Sequence, residues 1–386
     1  MRMTQLKTIA DIQTGPFGSQ LHKEDYVETG TPIVTVEHLG NRVFTEQNLP
    51  RVSDSDKARL IKYTLSTGDI VFSRVGSVDR CSYVDKSHDG WMFSGRCLRV
   101  RPTEPVDSLY LYYYFCLEET KQFVRNIAVG ATMPSINTKL LGEVEIALPD
   151  LNNQKRIAAV LSSLDDKIEN NQKLNDNLEQ QASALFSSFY DRSNTEVRYT
   201  DLIQILGGGT PKTGENTYWN GNIAFFTPKD VGTPYTLITE KTITEEGLSH
   251  CNSRLYPVNT VFVTARGTVG KVGMSGVPMA MNQSCYALVG KETHQLLVYF
   301  YTLKAVDRLK HKASGAVFDA ITTRDFESEQ IMKLSDDDAK AFLCIAEPMF
   351  QKVLNNCIEN LRLSTLRDSL LPKLMSGEVD VSAVKL

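Results

Sequence analysis

Two stretches of the sequence carry cationic and hydroxyl side chains directly after a short apolar run. The first is GDIVFSRVGSV, which starts at Gly68, and the second is NTVFVTARGTV, which starts at Asn259. Arginine can bridge O6 and N7 of guanine, whereas serine, threonine and lysine more often hold phosphates. We therefore expect these stretches to recognise a nucleic acid without covalent chemistry. The candidate contacts are Arg74, Ser77 and Arg80 in the first and Arg266, Thr268 and Lys271 in the second.

Further candidate contacts lie in loops elsewhere in the chain. Two similar loops could hold the DNA backbone: Ser135, Asn137, Thr138 and Lys139 in one, and Thr322, Thr323 and Arg324 in the other. For Thr138 and Thr323, N-capping of the next segment is an equal alternative. Two further groups, Gln13, Thr14, Phe17 and Ser19 on one side and Thr210, Lys212 and Lys229 on the other, differ between the two halves of the chain. Such divergence suits the reading of two unlike sequences.

The sequence lacks the motifs of covalent chemistry. A methyltransferase would need a glycine-rich cofactor loop, and neither G-x-G-x-x-G nor Pro-Pro occurs. GGGTPKTG, from Gly207, lacks the spacing of a phosphate loop, so it is either a flexible turn near DNA or merely a turn. The six histidines show no H-E-x-x-H spacing and the seven cysteines no C-x-x-C spacing. We therefore expect no catalysis, no metal site and reduced structural thiols.

The charge distribution argues against wholesale coating of a nucleic acid but allows local contacts. The net charge is −4. From Arg74 to Arg101, six basic residues against three acidic ones give +3, and from Arg254 to Lys271 three basic residues against none again give +3. Local basic stretches suit a protein that contacts a polyanion at chosen places. Because the sequence has neither a signal-peptide pattern at its start nor a long apolar run, we expect a cytoplasmic protein.

The chain contains a long internal repeat. An offset of 185 aligns LYYYFCLEETKQFVRNIAVGATMPSINTKLL, from Leu111, with LLVYFYTLKAVDRLKHKASGAVFDAITTRDF, from Leu296. Earlier in each half the offset is 191, as loop insertions would make it. Each half reads as short β-rich runs, an aromatic-rich helix, a Gly-Ala loop and a long amphipathic helix. We interpret the aromatic run around Tyr110 to Phe115 as core packing rather than a platform for bases.

Heptad patterns predict two long helices, from about 152 to 190 and from about 336 to 375. Pro348 should interrupt the second. We expect Asn171 and Asn356, near the helix midpoints, to face each other in an antiparallel coiled coil and fix its register. The alternative is that these asparagines are exposed. The heptad a positions are Ile157, Leu164, Asn171, Leu178 and Leu185, then Phe342, Met349, Asn356, Leu363 and Leu370, and the d positions include Val160, Leu174, Ile345 and Leu366.

The chain resembles the specificity subunit of type I restriction–modification enzymes over essentially its whole length. The clearest segments are LPDLNNQKRIAAVLSSLDDKIENNQKL, from Leu148, and LRDSLLPKLMSGEVDV, from Leu366. The resemblance implies an α+β fold in which two pseudo-symmetric target-recognition domains with mixed β-sheets are separated by a long antiparallel two-helix coiled coil. The expected boundaries are 1–150 and 193–335 for the recognition domains, and 151–192 and 336–386 for the helical spacers.

The resemblance also implies a function. Each domain would read one half of a bipartite double-stranded DNA site, two methyltransferase subunits would dock on the helices, and a restriction subunit could join them. S-adenosylmethionine and ATP would then bind those partner subunits and not this chain. We expect exposed apolar side chains, Phe186, Phe189 and Leu374, to anchor the methyltransferases. The main alternative is a DNA-free adaptor that bridges other proteins, which would explain the helices and the repeat but not the basic stretches.

Overall fold

The protein folds into two compact units. One combines Met1–Lys167 with Leu363–Leu386, and the other is Ile168–Arg362. Two long helices, α5 (Leu151–Arg192) and α10 (Asp336–Ser376), contribute a segment to each unit. The computed structural model describes residues 2–16, 20–232, 234–312 and 320–384.

The first unit is built from mixed β-sheets and short helices. Strand β1 pairs with β10, the order β2-β9-β6-β7 is antiparallel, and the order β3-β5-β4-β8 includes the parallel pair β4-β8. These strands are β1 (Arg2–Gln5), β2 (Ala10–Thr14), β3 (Tyr26–Val27), β4 (Thr31–Val34), β5 (Arg51–Val52), β6 (Ile70–Ser73), β7 (Cys81–Tyr83), β8 (Met92–Phe93), β9 (Cys97–Pro102) and β10 (Glu145–Leu148). The helices are α1 (Asp54–Arg59), α2 (Ser108–Cys116), α3 (Glu118–Ile127) and α4 (Thr138–Gly142), with 3-10 turns at Leu6–Thr8, Lys23–Asp25, Val36–His38, Ile61–Tyr63 and Lys86–His88.

The second unit repeats this plan. Strand β11 pairs with β20, the order β12-β19-β16-β17-β14 forms a larger sheet, and the order β15-β13-β18 again includes a parallel pair, β13-β18. These strands are β11 (Thr195–Arg198), β12 (Ile203–Gly207), β13 (Trp219–Phe226), β14 (Tyr235–Thr236), β15 (Lys241–Ile243), β16 (Val261–Thr264), β17 (Val272–Ser275), β18 (Met279–Met281), β19 (Cys285–Gly290) and β20 (Gln330–Lys333). The helices are α6 (Tyr199–Leu202), α7 (Glu245–Ser249), α8 (Gln295–Lys312) and α9 (Thr323–Ser328), with a 3-10 turn at Asn216–Tyr218. The α+β class and the duplicated plan are confirmed.

The aromatic-rich helices lie in the cores of the units. Tyr110, Tyr113 and Phe115 on α2 are buried, as are Phe300 and Tyr301 on α8. Their rings pack against sheet and helix side chains, for example Phe115 edge-on against Phe72 on β6. The interpretation of this run as packing is therefore correct.

Helices α5 and α10 run antiparallel where they meet within the second unit. Asn175 contacts Asn356 there, and further along α5 Arg192 contacts Asp338, so the numbering rises on one helix as it falls on the other. The predicted interruption at Pro348 is wrong, because α10 is one continuous helix. Pro348 and Cys344 are both exposed. Water can therefore satisfy the carbonyl of Cys344, which a proline four residues later leaves without its helical donor.

The buried stripe of the long helices follows a different heptad frame from the predicted one. Leu174, Ile345 and Leu366, predicted at buried d positions, are 40%, 47% and 46% exposed. The d frame also contains Lys167 and Lys352, whose charges favour water, whereas the e frame is more apolar. Burial is therefore centred on position e, with buried residues at positions a and b on its two sides. The buried e positions are Leu161, Ile168, Asn175 and Ala182 on α5 and Ala346, Val353 and Leu374 on α10.

Asn171 and Asn356 are buried, which excludes exposure, but the predicted pairing is wrong. The Nδ2 group of Asn171 donates to Oδ1 of Asn360 at 2.8 Å and to Oε2 of Glu359 at 2.8 Å. The Nδ2 group of Asn356 donates to Oδ1 of Asn175 at 2.8 Å. Each asparagine thus bonds one helical turn away from the expected partner. Because each a-position asparagine bonds to an e-position asparagine of the other helix, the register involves an N-x-x-x-N pair on each helix rather than single asparagines.

In the described part of the chain, no helix combines the length and apolar composition needed to cross a bilayer.

Candidate nucleic-acid interface

Each unit brings two predicted contact loops together. In the first, the β6–β7 loop (74–80) meets the loop before α4: the backbone N–H of Ile136 donates to the carbonyl of Arg74 at 2.9 Å. In the second, the β16–β17 loop (265–271) meets the loop before α9: the N–H of Ile321 donates to the carbonyl of Ala265, also at 2.9 Å. Candidate side chains that are about 60 residues apart in sequence are therefore close in each unit.

A glycine at the same place in both loops sets the turn. Gly76 has a φ of 76° and Gly267 a φ of 82°, which is the left-handed region that side chains with a Cβ rarely adopt. The residues that follow, Ser77 and Thr268, are exposed at the tips of their loops. The matching sequences Gly-Ser-Val and Gly-Thr-Val therefore indicate that the two loops share one backbone geometry.

The second unit contains a cationic cleft beside this turn. The cleft has a volume of about 350 Å³ and is lined by Thr227, Pro228, Lys229, Glu240, Lys241, Arg266, Gly267, Asn282 and Ser284. Three exposed cations, Lys229, Lys241 and Arg266, therefore share one cleft with a single carboxylate, and that carboxylate lies 3.6 Å from Nζ of Lys229. Lys241 was missed from the sequence because β15 pairs with β13, a neighbour that only the fold identifies.

The other predicted residues of this unit lie around the cleft or on its loops. Thr210 donates a hydrogen bond to the side chain of Gln283, which adjoins the cleft residues Asn282 and Ser284. The hydroxyl of Thr268 donates to the carbonyl of Pro228 at 3.3 Å. Lys212 and Lys271 are exposed.

Gly208 of the glycine-rich segment and Gly15 of the first unit both lie close against another backbone segment. A Cβ at Gly208 would lie 2.2 Å from the carbonyl oxygen of Asn282, and a Cβ at Gly15 would lie 2.2 Å from that of Ser94. Both glycines let one backbone pass against another at the same place in the two units. Gln13 and Thr14 immediately precede Gly15 as the last residues of β2. The predicted contacts Phe17 and Ser19 lie outside the described residues.

In the first unit the two candidate arginines differ in their exposure to solvent. Arg74 is partly buried and donates from Nη1 to the carbonyl of Gly95 at 3.0 Å. Arg80 is exposed, and its guanidinium packs against Gly40. A Cβ at Gly40 would lie only 2.6 Å from Nη2 of Arg80. Arg96, which was not among the predicted DNA contacts, is exposed, and its carbonyl accepts a hydrogen bond from the N–H of Arg74 at 2.8 Å.

Two of the six basic residues counted in the first stretch are structural. Arg99 is buried and pairs with Asp11 at 2.8 Å. Arg101 pairs with the buried Asp69 at 2.6 Å, and its hydrogen bonds to that carboxylate raise the pKa of its guanidinium. The sequence charge of +3 therefore overstates the cationic surface of this stretch.

Capping explains part of the loops before α4 and α9. Asn137 Oδ1 accepts from the N–H of Leu140, and Thr322 Oγ1 accepts from that of Asp325. The caps are thus one residue before Thr138 and Thr323, for which capping was the alternative. Ser135 donates to the carbonyl of Val129, while Thr323 and the cations Lys139 and Arg324 are exposed.

The predicted partner anchors are not exposed side chains. Phe186 is buried among Phe300, Tyr301 and Phe342, with ring centroids 5.0 to 5.4 Å away. Leu374 is buried in the core of the first unit. Phe189 is half-buried under the guanidinium of Arg192. The prediction failed because an apolar residue on a long helix also packs against the module beside it.

In the described residues, no cluster of histidine, cysteine, aspartate or glutamate could hold a metal ion.

Comparison with known proteins assigns the family. The model of the type I restriction modification DNA specificity domain matches residues 1–180 and 192–333. The MjaIX specificity subunit of Methanocaldococcus jannaschii is 26% identical over 72% of this chain and 71% of its own, and the HindI specificity subunit of Haemophilus influenzae is 24% identical over 82% and 88%. The crystal structure of the S subunit from M. genitalium shares the fold, with a TM-score of 0.61 at 17% identity over 97% of this chain and 95% of that one. The chain belongs to the family of type I restriction–modification DNA specificity subunits.

Proposed function

We propose that this specificity subunit binds double-stranded DNA and reads a bipartite site, with one recognition module for each half-site. The observation that carries the proposal is the cleft of the second unit, where Lys229, Lys241 and Arg266 are exposed together beside the β16–β17 turn. An arginine near two lysines suits a base edge flanked by phosphates.

Equivalent positions of the two modules differ in the way that two unlike half-sites require. The turn after β4 and the turn after β13 are closed alike, by hydrogen bonds from the N–H of Thr35 to His38 and from that of Thr227 to Asp230. Within these turns the first unit carries Glu37 where the second carries Lys229. Similarly, Arg96 in the first unit stands where the second has Ser284. A shared backbone with exchanged charges supports different base preferences on one scaffold.

We further propose that the chain is non-catalytic and positions two adenine methyltransferase subunits and a restriction subunit, which bind S-adenosylmethionine and ATP themselves. A duplicated module offers similar surfaces twice, so a partner that binds one half should bind the other. Because Phe186 and Leu374 are buried, the better candidates for docking are the exposed apolar side chains of the long helices, Leu174, Ile345 and Leu366.

Salt dependence of DNA binding tests the proposal. The chain is titrated with a random duplex and with a duplex containing its site, between about 50 and 200 mM salt, because neutralised phosphates release counterions. We expect a steep negative slope of log K against log salt. Replacing Lys229 and Lys241 by alanine should reduce the slope by about one for each lysine.

Lys291→Ala is the matched control. Lys291 is exposed and follows the far end of β19, so it is about 20 Å along the strand from Ser284 in the cleft. The Lys291→Ala variant should show the same slope of log K against log salt as the native chain. A flat salt dependence of the native chain would instead favour the DNA-free adaptor.

A further inference from the structure

The asparagine pairs fix the register of the long helices but cannot distinguish one copy of the chain from another. Under the 185-residue repeat, Asn171 corresponds to Asn356 and Asn175 to Asn360, so the bonds Asn171–Asn360 and Asn356–Asn175 are the same contact made twice. If α5 met α5 of a second copy in the same register, Asn171 would face Asn175 of that copy, and the asparagines would still be paired.

An ion pair with a buried carboxylate in the first unit lacks this symmetry. Its arginine, Arg367, is 29% exposed and also pairs with Asp368 at 2.8 Å. Arg367 on α10 donates from Nη1 to Oδ1 of Asp165 on α5 at 2.6 Å. Tyr113 on α2 donates from its hydroxyl to Oδ2 of the same carboxylate at 2.6 Å. Asp165 is 5% exposed, and both of its oxygens accept hydrogen bonds from these two groups.

The corresponding positions of the second unit are apolar. The repeat maps Asp165 onto Phe350, Arg367 onto Ala182 and Tyr113 onto Val298. All three of these residues are buried in one core cluster. The same place in the two-helix packing is therefore charged in one unit and apolar in the other.

We propose that Asp165 and Arg367 select the intramolecular pairing of α5 with α10 against pairing with a second copy of the chain. In an exchanged dimer, Asp165 would face Ala182 of the second copy, and Arg367 would face its Phe350. The buried Asp165 would then keep the hydroxyl of Tyr113 but lose its cation, and Arg367 would keep only Asp368 on its own helix; a buried carboxylate without its cation is unfavourable. The asparagines therefore set the register of the two paired helices, and the ion pair determines that α5 pairs with α10 of the same chain.

Moving the arginine tests this assignment in the full chain. In the transposed variant Ala182→Arg/Arg367→Ala, the intramolecular pairing leaves Asp165 and the new arginine unpaired, whereas an exchanged dimer pairs Asp165 with position 182 of the second copy. Two differently tagged forms are unfolded together, refolded at roughly 1 to 100 µM, and captured through one tag. Light scattering gives the mass of the product.

We expect the transposed variant to co-capture about tenfold more of the second tag than the native chain, with a dimer fraction that rises with concentration. The charge-exchanged control Asp165→Arg/Arg367→Asp keeps the intramolecular complement and should remain a monomer. A folded transposed variant that remains monomeric and co-captures no more than the native chain would overturn the proposal.

If the transposed variant does not fold, a symmetrised variant decides. Tyr113→Val/Asp165→Phe/Arg367→Ala makes the first unit match the second, so neither pairing buries an unpaired charge. Circular dichroism establishes that this variant is folded. It should then co-capture the second tag above the native level, and capture equal to that of the native chain would contradict the proposal.

Discussion

Asn356 donates a 2.8 Å hydrogen bond from Nδ2 to Oδ1 of Asn175 at the centre of a helix pair where apolar side chains would stabilise more. Asn356 is fully buried, and its own Oδ1 accepts no hydrogen bond from any residue that the structure describes. An unsatisfied buried carbonyl costs stability, so the contact is better explained by alignment than by strength.

Removal of one partner should cost more than removal of both. Asn356→Leu leaves Oδ1 of Asn175 without this donor, and we expect the free energy of unfolding to fall by about 1 to 3 kcal/mol. The double variant Asn175→Leu/Asn356→Leu should recover most of this loss, since two facing apolar groups leave no amide unpaired. Urea unfolding measures both, and additive losses in the double variant would exclude a pairwise interaction.

Arg266 should affect one half of the recognised site. Arg266→Ala should weaken binding to the preferred duplex by about 1 to 3 kcal/mol and relax the base preference of one half-site only. Competition binding against duplexes with single substitutions in each half measures this. Arg254→Ala, which removes an exposed cation of the same basic stretch outside the cleft, is the control. Equal loss of preference at both half-sites would refute the assignment of Arg266 to one reader.

Glu179 should make the second unit less stable above neutral pH. Burial, with a smaller contribution from Asp176, raises the pKa of Glu179 from an ordinary 4.5 to about 7. The folded state therefore holds this proton more tightly than the unfolded state, and the free energy of unfolding falls as pH rises from about 4.5 to about 7. Glu179→Gln should raise the melting temperature at pH 8 but not at pH 4. An equal effect at both pH values would show that ionisation of Glu179 is not responsible.

Phe186 and Leu174 should separate stability from partner docking. Phe186→Ala removes a ring packed among aromatic side chains, and we expect a loss of about 3 to 5 kcal/mol in the free energy of unfolding. Leu174→Ala truncates an exposed side chain and should change stability by less than about 0.5 kcal/mol. If the long helices carry the methyltransferase contact, Leu174→Ala should nevertheless weaken co-purification with the methyltransferase subunit. Unchanged co-purification would remove Leu174 from that surface.

The duplicated plan of the fold could be predicted because the repeat is visible in the amino-acid sequence itself. Residues Leu111 to Leu141 and Leu296 to Phe326 align without a gap, and each copy is bounded by the same elements. The extents of α5 and α10 followed from their amphipathic periodicity, which tertiary packing did not alter. Pro348 was over-weighted, because on the solvent face water can replace the hydrogen bond that the proline removes and α10 continues through it.

The side-chain partners could not be predicted, since they depend on rotation about the helix axis and on loop contacts. A shift from d to e moves the buried stripe by one residue, and that single step exchanges Leu174 for Asn175. The repeated N-x-x-x-N spacing was a signal for the correct asparagines, since both copies carry it. The structural roles of Arg99 and Arg101 depend on Asp11 and Asp69, which the antiparallel sheet brings beside them.

If two unlike modules read two separated DNA segments, sequencing of methylated bases in cells that carry the chain with its methyltransferase should reveal both segments. We expect one methylated motif with two specified segments at a fixed separation, and Arg266→Ala should relax only one of them. A single contiguous motif, or a methylation pattern that does not depend on this chain, would contradict reading by two unlike modules.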